Sequence, residues 1–507
     1  MRAPRTRSTA ALISAAVAVP ILFAAAPQAG AEGHGHQSTA QSARQTDQAK
    51  QTKQAKKLAK KLVKKSTAKS AYRHLEKFQE IADANGGNRA AGTPGHEASA
   101  RYVHDQLKKA GYQVSYQNFT FPESATQREK LTLRSPGQGE LATKAFEFSK
   151  STPQGGLTAK LAAARVDETP GCTPDDYKTD TFTGKIALVK RGTCTYAEKE
   201  AAAAQAGAAG ILVYNHSGDK PAAGSVGDPS QAHIPAAGLS KADGEKLAED
   251  LAKGEVEVNL DVATTTTHRK TRNVIAETRG GRADQVVALG AHLDSVPEGP
   301  GINDNGSGSA GLIEVAQKLA KATDGGKKLT HKVRFAWWSA EEIGLLGSEH
   351  YVKQLSAKQQ KDIKLYLNFD MIASPNPAWL TYDGDDSDKE GAGPGPAGSA
   401  QIEKLIEKYL GKHGIQTEGY DFDGRSDYGP FIAVGIPAGG TYTGAEEIKT
   451  PEQAAKWGGT AGVAFDPNYH GPGDTLKNID IKAFDLNIDV IANAVGTYAH
   501  DLSSLKS

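Results

Sequence analysis

The sequence predicts an α/β protein, a mainly parallel sheet covered by helices, interrupted by a second, strand-rich module. Three observations predict it. From Arg272 onward short apolar runs alternate with segments of helical period, the pattern of a parallel sheet with crossover helices. Between Pro122 and His268 the texture changes to a Gly-, Ala- and Thr-rich stretch with short strands, which reads as an independent module. The chain has 507 residues, 38% hydrophobic and 23% charged, enough for two or three soluble domains, and favours neither a nucleic-acid nor a membrane protein.

Arg2, Arg5 and Arg7 precede an apolar run from Ala10 to Ala26, and Ala29-Gly30-Ala31 supplies small residues for cleavage, so residues 1–31 read as a secretory signal peptide. The run contains Pro20 and no stop-transfer pattern follows, so the mature chain is expected to have no membrane span. Residues 32–65 hold nine Lys and Arg against two Asp and Glu in a Gln- and Ala-rich background, a basic low-complexity pro-segment or linker expected to be solvated. Taking its +7 and the leader's +3 from the total of +1 leaves −9 on residues 66–507, a mildly acidic body.

Ala71, Leu75, Phe78 and Ile81 recur at helical spacing, and a second helix from about Glu97 is capped at Gly111 before a strand over 113–121. In the module, 185–189 and 210–214 read as strands around an Ala-rich helix. Cys172 and Cys194 lie 22 residues apart; in an exported chain they invite a disulfide, and no neighbouring ligands suggest zinc there. Strands follow over 273–277, 285–291, 332–338 and 364–369, and helices over 307–322, 343–355 and 401–411.

Chemistry in such sheets collects beyond the carboxyl ends of the strands. Those positions carry His292, the pair Glu341-Glu342, and Asp370. A carboxylate can bridge two divalent ions roughly 3.5 to 4 Å apart, and Asp304 is placed to be that bridge. His292 with Asp370 could complete one zinc, and Glu342 with the distant His470 the other. Two Zn²⁺ would then be balanced by three carboxylates and one hydroxide. Asp294 could orient His292 through its second ring nitrogen, Glu341 is free to act as general base on the metal-bound water, and Tyr469 could polarise a scissile carbonyl.

GAHLDS, INDNGSGSAG, RFAWWSAEEIGLLGS, YLNFDMI, DGRSDYGPF and NYHGPGDTL, in this order, resemble the dizinc aminopeptidases of peptidase family M28, over residues 66–121 and 270–503. The resemblance implies a three-layer helix/sheet/helix, phosphorylase/hydrolase-like zinc peptidase fold with a mixed, mainly parallel sheet, its catalytic domain formed by 66–121 and 269–507. It implies metal roles for His292, Asp304, Glu342, Asp370 and His470, with Glu341 as base and Tyr469 stabilising the transition state. It places Arg425 beside the substrate's amino end and Met371 and Tyr442 near a pocket for the first side chain. GKIALVKRGTCTY, AGAAGILVYNH and IPAAGLS resemble a protease-associated (PA) domain inserted as 122–268, a module without catalytic residues that often carries a disulfide, here Cys172 with Cys194.

The implied protein is a secreted monomer that acts on the N-termini of peptides or proteins and prefers a large hydrophobic first residue. Two departures stand out. Relatives flank the Tyr-His pair with cysteines, where this chain has Asn468 and Gly473. Some relatives bind calcium through an N-terminal Asp and two late carboxylates; Asp485 and Asp489 match the latter, but Lys65 stands at the former.

Other readings lose on their signatures. Gly306 to Gly311 matches G-x-G-x-x-G but follows a loop bearing Asp304 rather than a strand. No G-x-S-x-G elbow occurs, and His96-Glu97 lacks the second His of H-E-x-x-H. A carboxypeptidase or deacylase on the same core, or a binding ectodomain that lost catalysis, are the alternative functions; only 37 residues follow His470, and Glu341 is intact. Trp337 and Trp338 are expected to pack the sheet.

Overall fold

The computed structural model describes residues 34–389 and 391–506; the proposed signal peptide, 1–31, lies outside them. Residues expected as a solvated segment instead form helix α1 (His34–Lys65). From Gln51 onward it belongs to the main body, with Ala55, Leu58, Ala59 and Leu62 buried. Their spacing of three and four residues is that of one helical face, which is why half of a lysine-rich segment folds onto a core. Thr67 caps α2 (Ala68–Asp83) by accepting the Ser70 N–H, and Thr93 with Pro94 starts α3 (Pro94–Ala110), which ends on left-handed Gly111.

Strand β1 (Gln113–Ser135) runs straight through the expected boundary at Pro122. The module beyond it contains β2 (Leu157–Ala163), β3 (Ile186–Lys190), α4 (Tyr196–Gln205), β4 (Gly210–Tyr214), β5 (Ala236–Leu239) and α5 (Lys241–Leu251). β2 to β5 pair in parallel in sequence order, and Cys172 is disulfide-bonded to Cys194. β6 (Glu257–Glu277) pairs with β1 antiparallel along nearly its whole length. Its first residues bond β2 and its last bond the main sheet, so one two-stranded ribbon belongs to both parts.

β7 (Arg282–His292), β8 (His331–Trp338), β9 (Ile363–Phe369) and β12 (Ala438–Tyr442) form the parallel centre of that sheet, in the order β12-β9-β7-β8. β10 (Leu380–Tyr382) adds antiparallel to β12, and β11 (Glu418–Tyr420) parallel to β10. Alternate residues of the central strands enter different cores. Val287, Leu289, Ala291, Phe335 and Trp337 meet α2, α3, α6 (Gly306–Thr323), α8 (Ser399–Gly411) and α9 (Ile481–Tyr498). Val286, Ala288, Ala336 and Trp338 meet Phe431 and α7 (Leu346–Gln354) on the other face. Burial on both faces explains why these strands read as continuous apolar runs, and the three-layer α/β arrangement follows. Both tryptophans are buried in these layers, Trp338 donating from Nε1 to Tyr366 Oη at 2.8 Å. No described helix is long and apolar enough to cross a membrane.

Candidate active site and metal centre

The carboxyl ends of β7, β8 and β9 converge. His292, the last residue of β7, holds Nε2 3.1 Å from Asp304 Oδ1 and 3.2 Å from Asp370 Oδ1, just past β9. Beyond β8, Glu342 Oε2 lies 2.9 Å from His470 Nε2, which is 3.3 Å from Asp304 Oδ2. Two groups of three ligand-type side chains therefore share Asp304, one carboxylate oxygen to each group. Glu341 sits beside the first of these groups, Oε2 3.9 Å from His292 Nε2.

Several interactions hold these side chains in place. His292 Nδ1 donates to the backbone carbonyl of Asp294 at 3.1 Å. Asp294 thus orients the ring through its main chain; its carboxylate is 3.8 Å away and instead accepts the Glu341 N–H at 3.4 Å. Asp370 Oδ2 accepts from Ser426 Oγ at 2.6 Å, and Ser426 is itself held by Asn368 Nδ2 at 2.8 Å. Asp474 takes the N–H groups of Asn303 and Asp304 at 2.7 and 2.9 Å. Gly308, in the turn that starts α6, passes so close to β9 that a Cβ would lie 2.1 Å from Phe369 O; the glycines serve this approach. Three non-glycine residues around the centre, Ala340, Met371 and His470, have left-handed φ values of 61°, 44° and 53°, a strained state that clusters at functional sites.

The donor set fits divalent cations. With its Nδ1 proton on Asp294, His292 turns the Nε2 lone pair toward two carboxylates, which repel it unless a proton or a cation intervenes. Glu342 Oε1 is buried with no hydrogen-bond partner. Burial, then the neighbouring Asp304 charge, pushes the Glu342 carboxyl up to about 8. Burial also lowers His470, but its contacts to Asp304 and Glu342 outweigh that and raise it to about 10. Glu341 is pushed well above the usual carboxylate range by burial, with Asp370, Asp427 and Glu342 adding to it. Mixed imidazole and carboxylate donors suit zinc, and two ions would remove this excess of buried negative charge.

A cleft opens above Asp304, Glu341, Glu342 and Asp370. Met371, Tyr442, Arg425 and Tyr469 line it, together with Tyr382, Tyr420 and Tyr428. Arg425 Nη2 donates to Glu446 Oε1 at 2.9 Å and to Tyr469 Oη at 3.3 Å. Tyr420 and Tyr428 both donate to Asp423, at 3.0 and 2.6 Å, leaving ring surface toward the cleft.

Residues 273–495 match the model of peptidase family M28, and residues 157–247 that of the PA domain. The probable lipoprotein aminopeptidase LpqL of Mycobacterium tuberculosis is 45% identical over 432 residues, 85% of this chain and 84% of that one. The chain belongs to peptidase family M28. Leucine aminopeptidase 2 of Trichophyton rubrum is 45% identical over 434 residues, 84% of this chain and 83% of that protein. Among solved structures, an aminopeptidase from Aneurinibacillus sp. superposes with a TM-score of 0.70 at 27% identity, covering 87% of this chain and 96% of its own. The zinc aminopeptidase BSAP of Bacillus subtilis gives 0.59 at 29% identity, covering 85% and 94%. Sequence and fold both class the chain as an M28 aminopeptidase carrying a PA domain.

In this M28 chain four residues around the centre escaped the sequence reading. Arg89 is completely buried and donates from Nε to Pro300 O at 2.9 Å and from its other nitrogens to the carbonyls of Leu293 and Gly301. It thereby ties down the segment between His292 and Asp304. Asp474, Ser426 and the fully buried Asp427 are the others; the last two sit inside the DGRSDYGPF motif, which was the available signal. The two carboxylates matched to a calcium site sit elsewhere: Asp485 Oδ1 accepts the Ala68 N–H at 2.6 Å, and neither joins a converging donor group among the described residues.

Proposed function

We propose that this M28 protein is an exported, monomeric dizinc aminopeptidase that removes the N-terminal residue of peptides. One observation carries the reading: two donor triads share Asp304 at the floor of a cleft, with Glu341 next to them and Tyr469 in the wall. His292, Asp304 and Asp370 would hold one zinc, and Asp304, Glu342 and His470 the second. When bound, the ions supply Lewis acidity toward the carbonyl oxygen and make an attacking water more acidic.

The chain's own residues do the rest. Glu341 accepts the proton of the attacking water on its carboxylate and passes it to the leaving amine, from its position beside His292 at the floor of the cleft. Tyr469 accepts a hydrogen bond from Arg425, which has no acceptor of its own, so the tyrosine's proton is free to donate to the carbonyl oxygen as it gains charge. Glu446 neutralises Arg425, which keeps a second unpaired cation away from the substrate's ammonium group. Met371, Tyr382, Tyr420 and Tyr442 wall the cleft with sulfur and ring surface, which supports a large hydrophobic first residue. The disulfide supports an oxidising compartment, in keeping with export.

Hydrolysis of leucyl and arginyl chromogenic amides before and after exhaustive chelation tests the reading. Activity should vanish with the metal, return with zinc, favour leucyl, and fail on N-acetyl-leucyl substrate. Full turnover in the stripped protein overturns the metal mechanism, and turnover of the acetylated substrate points to a deacylase instead.

A further inference from the structure

We propose that the outer face of α1 is a docking surface for an anionic lipid bilayer, which the protein binds peripherally, without inserting. Lys53, Lys56, Lys57, Lys60, Lys61, Lys64 and Lys65 are all exposed. At 100° per residue they occupy the half of the helix opposite Ala55, Leu58, Ala59 and Leu62. That buried half fixes the orientation of the lysines. α9 approaches so closely that a Cβ on Gly496 would lie 2.3 Å from Ala59 Cα, and Thr52 Oγ1 donates to Asp501 at 2.6 Å. The lysines are thus displayed by a docked helix and do not wander with a loose tail.

The face has no internal neutraliser. On other helices exposed lysines meet acids one turn away, as Lys246 does Asp250, Lys353 does Glu349 and Lys358 does Asp362. Between Gln48 and Lys65 there is no Asp or Glu at all. Among the described residues none of the seven lysines reaches a carboxylate; Lys61 Nζ donates to the carbonyl of Ala322 at 3.5 Å. Like charges one turn apart repel, so the array gains whenever an anionic surface faces it.

The composition of the face selects the surface. Its charges are lysine only, beside Gln54, with no arginine for bidentate phosphate recognition and no aromatic ring for base stacking, which disfavours a nucleic acid. It contains no apolar residue that would insert. From Lys53 to Lys65 it extends about 18 Å along a straight helix, which matches a plane of headgroups. The net charge of −9 on residues 66–507 discourages adsorption through the rest of the body and turns α1 toward the membrane.

Cosedimentation of the full chain, shown by intact mass to retain residues 45–65, tests this with phosphatidylglycerol/phosphatidylcholine vesicles, pure phosphatidylcholine vesicles and a DNA oligonucleotide. Binding is expected with the anionic vesicles at low salt, should be reversed at high salt, and should be absent with pure phosphatidylcholine. Each lysine near an anionic bilayer is worth roughly a fivefold change in partitioning. Lys53→Gln/Lys57→Gln/Lys60→Gln/Lys64→Gln should therefore lose at least about 100-fold in binding, while its melting temperature and hydrolysis of soluble peptide stay unchanged. Lys108→Gln/Lys109→Gln, on the exposed side of α3, should bind as the parent does. No binding to anionic vesicles, binding undiminished in the quadruple variant, or retention of DNA in place of vesicles overturns the proposal.

Discussion

The two halves of the centre share Asp304 and little else. The half around His292 is built from the ends of adjacent hydrogen-bonded strands, β7 and β9, and the His292 side chain is 1% exposed. Its ring is fixed by the Asp294 carbonyl and its carboxylate partner by Ser426. The half around His470 hangs on loops: the His470 side chain is 39% exposed, its φ is 53°, and its ring stacks on Tyr469 at 3.8 Å. The contrast teaches that sheet geometry can supply a braced, buried ligand set on one side while the other side of the same centre rests on loops and is open to solvent. Changes to the shared residue should therefore damage both halves, and changes elsewhere should separate them.

The largest effect is expected at the shared residue and the adjacent base. Asp304→Asn should lose zinc from both halves, with activity down by about 10⁴-fold or more, because neither remaining pair can hold an ion with a neutral bridge. Glu341→Gln should reduce turnover by roughly 10²- to 10⁴-fold while still carrying two zinc ions by elemental analysis. One fully retained zinc in Asp304→Asn would show that Asp304 is not shared.

Arg89→Met strikes the segment between His292 and Asp304. It removes a buried cation and leaves the carbonyls of Leu293 and Pro300 without the donor they have here, while Gly301 O keeps only the Gly306 N–H, at an expected cost of about 3 to 5 kcal/mol in denaturant unfolding. Arg89→Lys should recover only part of this, since an ammonium cannot reach three carbonyls with a fixed fork. A melting curve unchanged in Arg89→Met would mean that water replaces the guanidinium.

The same contrast governs what the sequence made legible. His292 ends one continuous apolar run, and Asp370 and Glu342 follow others, so strand ends alone pointed to these positions. Arg89 lies more than 200 residues from the carbonyls it binds, in a loop without periodicity, and only the tertiary fold brings them together. The sequence offers Asp294 as a carboxylate partner for His292's second ring nitrogen, whereas the contact is made by its main-chain carbonyl, and spacing cannot tell the two apart. In α1 the lysines dominated the reading, although Ala55, Leu58, Ala59 and Leu62 already stood at helical intervals. The match to family M28 covers 273–495, and its strand-and-helix alternation was the most readable part of the chain.

Chelator titration should strip the centre in two steps. The exposed His470 half should release its zinc first, with an affinity roughly 10- to 100-fold weaker than that of the braced half. His470→Gln should bind one zinc per chain with the affinity of the second step; simultaneous loss of both ions would erase the distinction between the halves.

The pH dependence follows from the signs of the shifts. In the metal-free protein Glu342 titrates near 8 in place of 4.5, so folding loses stability as pH rises between those values. His470 titrates near 10 in place of 6.5, so its contribution is complete below 6.5 and is lost as pH rises through 10. Between 6.5 and 8 both slopes act together. Zinc needs the deprotonated forms and binds more tightly over the same interval. The melting-temperature gap between zinc-loaded and stripped protein should thus widen by several degrees across it; a constant gap would place the relevant protons elsewhere.

The smallest effect would come from making the two halves more alike. Asn468 and Gly473 flank the Tyr469-His470 pair, and a Cβ on Gly473 would lie 3.3 Å from Asn468 Cβ, near the roughly 3.8 Å of a disulfide. Asn468 now occupies that space, its Nδ2 donating to Asn478 Oδ1 at 2.7 Å. Asn468→Cys/Gly473→Cys should oxidise spontaneously and brace the loop that carries Tyr469 and His470. Zinc release from the His470 half should slow by a few-fold in the oxidised variant and return to the parent rate on reduction, while the first-order loss from the His292 half stays where it was. Equal slowing of both steps would mean that the loop's mobility is not what separates the two halves.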